Sequence, residues 1–295
     1  MNYNIIYYIT MNEKQYNNNI KKIVKLMSME SKVNIVGSAK IRRNIYYSDY
    51  DSFSTVKGKN ENMIYNHFKS VFEIIKNSEN TIITDFKLGE NTKGEPLRWT
   101  YEEIKRKENN GITFDDAIKQ KSIIKMDIVT LQNGRFIEIT EVYNIYIDGE
   151  SNSDYSIDNV RKELTDDMNE QIKEGNIMKA LKRKYSLLNL DNKNKAVREK
   201  LIDYFNSPIG LLNRCKSDLE TLLIVIESPK FDIDEIRNSL QLLKESISAF
   251  PVENNLEMIS MMKTKDKMKV PIYKMINILK MYINKHAKNM FNRFS

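Results

Sequence analysis

Residues 33–53 read VNIVGSAKIRRNIYYSDYDSF, and this stretch decides the fold. An apolar segment, Val33 to Val36, runs into Gly37-Ser38; ten residues later come Asp49 and Asp51, separated by Tyr50. A short Gly-Ser turn brings backbone N–H groups and a hydroxyl close to a polyphosphate, because glycine lets the chain approach without a Cβ. The aromatic, β-branched context around the two aspartates predicts a strand. Carboxylates at i and i+2 of a strand share one face, where both reach one divalent cation.

Working outward, the first half alternates element types. Ile20, Ile23, Val24 and Met27 fall at helical spacing and predict a helix over 13–28. Ile64, Phe68, Val71, Phe72 and Ile75 predict a second over 61–77, and TIITDFKLG, 81–89, reads as a strand. The stretch from about 88 to 121 breaks this rhythm and reads as an insertion lying over the sheet, with a short helical pattern near Trp99 to Lys107. Two β-rich segments follow, SIIKMDIVTLQ and GRFIEITEVYNIYI, joined by Asn133-Gly134, a pair that readily takes the positive φ angles of a tight hairpin. Asp127 lies inside the first of them. An aspartate in an apolar strand is costly unless it is paired or holds an ion.

Beyond the polar stretch Asp148 to Ser156 the strand signals give way to helical stripes: Ile209 to Ile226, Ile233 to Phe250 and Ile272 to Phe291. Pro208, Pro229, Pro251 and Pro271 fall between stripes and read as helix punctuation. The expected organisation is α+β: a mixed sheet with flanking helices over 1–150, then an all-helical domain over 151–295.

Composition bounds the function. No apolar run approaches the roughly 20 residues that span a bilayer, so no membrane partner is expected. The N-terminus lacks the basic region of a signal peptide, and the single Cys215 fits a reducing compartment; a cytoplasmic location is expected. The net charge of +7 is unevenly placed, since Lys263 to Ser295 holds nine Lys or Arg against one acid, Asp266. That leaves the rest about neutral. A basic end on a neutral body points to an anionic partner, nucleic acid first, or else to a solvated lysine-rich helix face.

The pattern hydrophobic–Gly-Ser–ten residues–Asp-x-Asp, followed by a later strand aspartate, resembles the DNA polymerase β-like nucleotidyltransferases. The resemblance covers about 15–145 and rests on Gly37, Ser38, Asp49, Asp51 and Asp127. One position departs from it: Ser52 follows the second carboxylate where a hydrophobic residue is usual. The segments PLRWTYEEIKRKENNGI and IIKMDIVTLQNGRFIEITEVYNI look like poly(A) polymerase-type proteins of large cytoplasmic DNA viruses, which would place the chain in host cytoplasm or virion. The resemblance implies that Asp49, Asp51 and Asp127 hold Mg²⁺ (or Mn²⁺), that Gly37 and Ser38 bind the phosphates of an NTP, ATP first, and that RNA rather than DNA accepts the nucleotide.

Within the helical half, Lys179, Lys182 and Arg183 sit within one turn, and Lys179 and Arg183 at i and i+4 share a face. They read as a clamp on the triphosphate or as the outer face of an amphipathic helix. Arg98 and Trp99 read as a base or primer contact, or as core. His67 and His286 lack metal-ligand partners at useful spacing, and Cys215 reads as core packing. Three activities remain open: transfer to RNA, transfer to a protein or small molecule, and a non-catalytic nucleic-acid or partner subunit. A protein partner or homo-oligomer is compatible with each.

Overall fold

The computed structural model describes residues 18, 20–28, 34–36, 49–58, 61–90, 96–99, 124–147, 150–151, 157–190, 194–247 and 253–294. The chain divides into two units, one within Met1–Lys40 and Ile45–Ser153, the other within Ile41–Asn44 and Asp154–Ser295.

The first unit is a mixed sheet with helices. Helix α1 covers 20–27 and α2 Glu61–Lys76. The strands are β1 (Asn34–Val36), β2 (Asp49–Gly58), β3 (Thr81–Glu90), β4 (Pro96–Trp99), β5 (Ile124–Gln132), β6 (Arg135–Ile147) and β7 (Glu150–Ser151). Their order is β1-β2-β6-β5-β3-β4, with β7 paired to β6. Only β2 and β6 run parallel among these pairs; the others are antiparallel. The hairpin β5–β6 turns at Asn133 (φ 51°) and Gly134 (φ 76°), the conformation this dipeptide was expected to supply.

Strand alternation gives the sheet two unlike faces. Tyr50, Ile83, Met126, Ile128, Ile137 and Ile139 are buried on one, while Asp51, Glu138 and Thr140 on the other are half-buried. Val71, Phe72 and Ile75 form the buried stripe of α2, which packs on β2 and β3. Ile20, Val24 and Met27 of α1 are fully buried.

The expected insertion is corrected in part. Pro96–Trp99 forms strand β4 and extends the sheet beyond β3, with Lys87 opposite Arg98 and Phe86 opposite Trp99, so Trp99 does not open a helix. Pro96 at the first position of an outer strand lacks the N–H that an interior strand would need. Residues 91–95 and 100–123 lie outside the described set.

The second unit is helical: α3 (Ile157–Lys173), α4 (Ile177–Leu190), α5 (Lys195–Phe205), α6 (Pro208–Glu227), α7 (Ile233–Ser246), α8 (Glu253–Ser260) and α9 (Lys265–Phe294). Helix α6 packs against α9; α6 buries Leu212, Cys215, Leu219, Leu222 and Val225, and α9 buries Met268, Ile272, Met275, Leu279 and Ile283. Pro208 begins α6 as expected, but Pro271 does not interrupt the chain: α9 runs through it. A proline there removes one backbone hydrogen bond and costs about 3 kcal/mol in an isolated helix. The buried stripe on both sides of Pro271 offsets that cost.

Candidate active site

The site is built on three neighbouring strands. Asp51 of β2 is in register with Thr140 of β6, and Thr140 with Asp127 of β5. Residues directly opposite in a sheet share a face, so Asp51, Thr140 and Asp127 form one row. Two strand spacings, about 10 Å in all, separate the Cα positions of the two aspartates. Position 49 lies on the same face two residues earlier, opposite Glu138. The row continues to β3, where a bulge after Ile83 puts Asp85 opposite Asp127. The side chains of Asp49 and Asp85, together with Gly37 and Ser38, lie outside the described residues.

Asp127 is buried, 5% exposed, between Met126 and Ile128, yet it is not stranded. Thr140 Oγ1 donates to its Oδ1 at 2.5 Å. A hydrogen bond to a charged acceptor is short and fixes the carboxylate's orientation. Thr140 was missed in the sequence, where it reads as an ordinary polar position of an alternating strand.

Behind the row, on the covered face, a second polar group holds the strands together. Glu141 of β6 is fully buried and accepts hydrogen bonds from the hydroxyls of Ser52 and Ser54, both on β2. Ser52 Oγ also lies 3.2 Å from the Thr140 carbonyl, and Ser54 Oγ lies 2.6 Å from Ser28 Oγ at the end of α1. This explains why a serine follows Asp51: the position faces a buried carboxylate rather than an apolar core. A buried charge needs such donors, since leaving it unpaired costs several kcal/mol. The sequence does hold a signal for Glu141, an acid in the same alternation phase as the buried Ile137 and Ile139.

The basic residues of α4 belong to the helical unit. Lys179 is exposed and Lys182 half-buried. Arg183 Nε donates to Asp167 Oδ2 of α3 and forms an ion pair with it. Burial alone would raise the Asp167 carboxyl, but the Arg183 hydrogen bond and the charges of Arg183 and Lys179 outweigh it and hold it below its usual value. Asp167 thus occupies one side of the expected phosphate clamp. Cys215 is buried in α6, where burial first and Asp218 second push its thiol well above the usual range, so it is inert packing.

The donor set at the row suits a hard divalent cation, because carboxylate oxygens are what Mg²⁺ and Mn²⁺ prefer. Among the described residues no three His, Cys, Asp or Glu side chains form a metal-holding group; Asp49, the third member of the expected set, has its side chain outside them. No described helix is long and apolar enough to cross a membrane.

An α+β sheet with an Asp-x-Asp strand, a parallel neighbour and a further strand aspartate, followed by a helical half, is a nucleotidyltransferase-type fold. Solved structures of Megaviridae proteins share it. One, described as a new nucleotidyl transferase, is similar with a TM-score of 0.73 over 97% of this chain and 91% of its own, at 13% identity. The M. chilensis Mg662 protein, solved in complex with GTP, gives 0.73 over 97% and 93% at 12% identity. A third, also a Megaviridae nucleotidyl transferase, gives 0.66 over 97% and 94% at 14% identity. No protein-family model and no curated protein matches the sequence.

Proposed function

We propose that this chain is a Mg²⁺-dependent nucleotidyltransferase that moves a nucleoside monophosphate from an NTP to the 3′ hydroxyl of RNA, as a poly(A) polymerase does. The observation that carries the reading is the row Asp51–Thr140–Asp127, two carboxylates on one sheet face with a hydroxyl between them that orients the second. The GTP bound by the Mg662 protein, which has the same fold, supports an NTP as the donor.

In this reading Asp49, Asp51 and Asp127 hold the divalent ion, which supplies charge neutralisation of the phosphates when bound. Asp127, held by Thr140, takes the proton of the attacking hydroxyl. The 3′ oxygen forms its bond to the α-phosphorus as the bond to pyrophosphate breaks. Gly37 and Ser38 contact the phosphates, and Lys179, Lys182 and Arg183 neutralise the leaving pyrophosphate. For Arg183 this means exchanging the Asp167 carboxylate for a phosphate, an exchange a guanidinium fork makes readily. The first unit is the catalytic domain and the helical unit binds nucleotide and acceptor, in the host cytoplasm or virion.

The test is a trial with each of the four labelled NTPs, Mg²⁺ or Mn²⁺, and a short RNA or DNA primer. Extension of the RNA with ATP supports the reading. Extension with GTP alone would keep nucleotidyl transfer and replace the adenylyl preference. No extension under any combination would overturn the polymerase reading.

A further inference from the structure

Helix α9 carries its charge and its exposed apolar side chains around the broad arc left outside the bundle, with Tyr273 and Tyr282 at its two flanks, about half a turn apart. Its inner stripe, Met268, Ile272, Met275, Ile276, Leu279, Ile283 and Ala287, is buried in the bundle. The opposite arc leaves Tyr273 (60%), Ile278 (56%), Met281 (75%) and Tyr282 (46%) exposed to solvent. Lys274, Lys280, Lys285 and Lys288 are exposed on the same arc, and no acidic residue occurs after Asp266. At 3.6 residues per turn the lysines fall between the apolar side chains rather than to one side of them. Tyr282 lies against His286 one turn on, ring centroids 4.6 Å apart and planes tilted by 48°, which holds the exposed tyrosine ring in place beside a second ring.

From this arrangement we infer that the exposed arc of α9 binds single-stranded polynucleotide that crosses it obliquely, its lysines on phosphates and Tyr273 on one flank and Tyr282 on the other each under an unpaired base. Interleaved cation and ring match a polymer that alternates phosphate and base. A helix lying on a membrane instead presents a continuous apolar face with its lysines on the polar side. A duplex offers phosphates but keeps its bases stacked inside, so the exposed rings would gain nothing from it. The inference rests on the proposed polynucleotide acceptor and deepens it to an unpaired strand held on the helical unit.

The experiment is anisotropy of a labelled single-stranded RNA of mixed sequence, its duplex, and a single-stranded DNA of the same sequence, over a salt series without NTP. It uses the full chain carrying Asp51→Asn and Asp127→Asn, so the result is independent of catalysis. Single strands are expected to bind more tightly than the duplex. Tyr273→Ala and Tyr282→Ala should each weaken single-strand binding about fivefold or more and leave the salt slope unchanged. Lys274→Gln with Lys285→Gln should lower the slope of log K against log salt by about 1.4, at ~0.7 per lost phosphate contact. The four α9 side chains concerned are exposed, and a melting temperature unchanged from that of the doubly substituted parent confirms folding. Equal binding of duplex and single strand, or tyrosine variants that bind like the parent, would overturn the inference. So would tight binding to phosphatidylserine vesicles with none to RNA. Retained strand binding in a chain that transfers no nucleotide would overturn only the catalytic reading.

Discussion

Removing the Glu141 carboxylate is the most informative single change in the catalytic unit. Glu141→Ala takes the shared carboxylate acceptor from the buried hydroxyls of Ser52 and Ser54, leaving them only the Thr140 carbonyl and the Ser28 hydroxyl, and opens a cavity behind the Asp51–Thr140–Asp127 row. A hydrogen bond to a charged acceptor contributes about 1.5–3 kcal/mol, and the loss of two with the packing of the side chain comes to about 3–5 kcal/mol. The same strands joined by apolar contact should fare better. Glu141→Leu combined with Ser52→Val and Ser54→Ala removes the buried carboxylate together with the two serine hydroxyls that donate to it, and is expected to recover most of that loss, because an apolar replacement of both partners is close to neutral. Denaturant unfolding followed by an amide-exchange probe on β2 and β6 reads the first unit separately from the helical one. A Glu141→Ala variant within 1 kcal/mol of the parent, or a triple variant no better than the single, would refute the idea that this buried cluster fixes β2 against β6.

Other expectations follow from the helical unit. A Cβ at Gly210 would fall 1.8 Å from the Phe205 carbonyl oxygen, which is backbone and has little room to yield, so Gly210→Ala should lower the melting temperature markedly while Gly175→Asn, at an open αL position, should not. Asp232→Ala breaks a capping box in which Asp232 accepts from the Asp234 and Glu235 amides at 2.8 Å and Glu235 returns a bond to the Asp232 amide; it should cost about 1 kcal/mol in denaturant unfolding. The Asp167 carboxyl is depressed in the folded state, so its pairing with Arg183 stabilises fully above the ordinary value of 3.8 and fades as pH falls through the lower folded value. The stability gap between the parent and Arg183→Ala, measured by urea unfolding across pH 3 to 7, should therefore shrink only at the acid end; a gap that widens there would contradict it.

The parts of the fold set by local chemistry were legible before any coordinates. Helical spacing marked α2 and α6, and Asn133-Gly134 marked the β5–β6 turn, because periodicity and positive-φ preference act over a few residues. What depends on distant partners was not. Nothing near Pro96 shows that β3 has an open edge to receive it, and nothing near Pro271 shows how much apolar surface lies on either side of it. The site divides the same way. Asp-x-Asp and the strand aspartate stand out by residue type, whereas Thr140 earns its role only from the register that brings it between Asp51 and Asp127. Ser52 looked like a departure from the family pattern until Glu141, 89 residues away, appeared as its partner.

The most direct trial of the central claim is the rate of labelled nucleotide incorporation by the parent, Asp127→Asn and Thr140→Val under single-turnover conditions with saturating NTP and Mg²⁺. Asparagine keeps the shape of Asp127 and its Thr140 hydrogen bond but cannot take a proton or neutralise a cation, so incorporation should fall at least about 10³-fold, within what loss of base and metal ligand together removes. Thr140→Val keeps the carboxylate and loses only its orientation, and should retain measurable transfer well above Asp127→Asn. A folded Asp127→Asn that incorporates nucleotide at the parent rate would contradict the account.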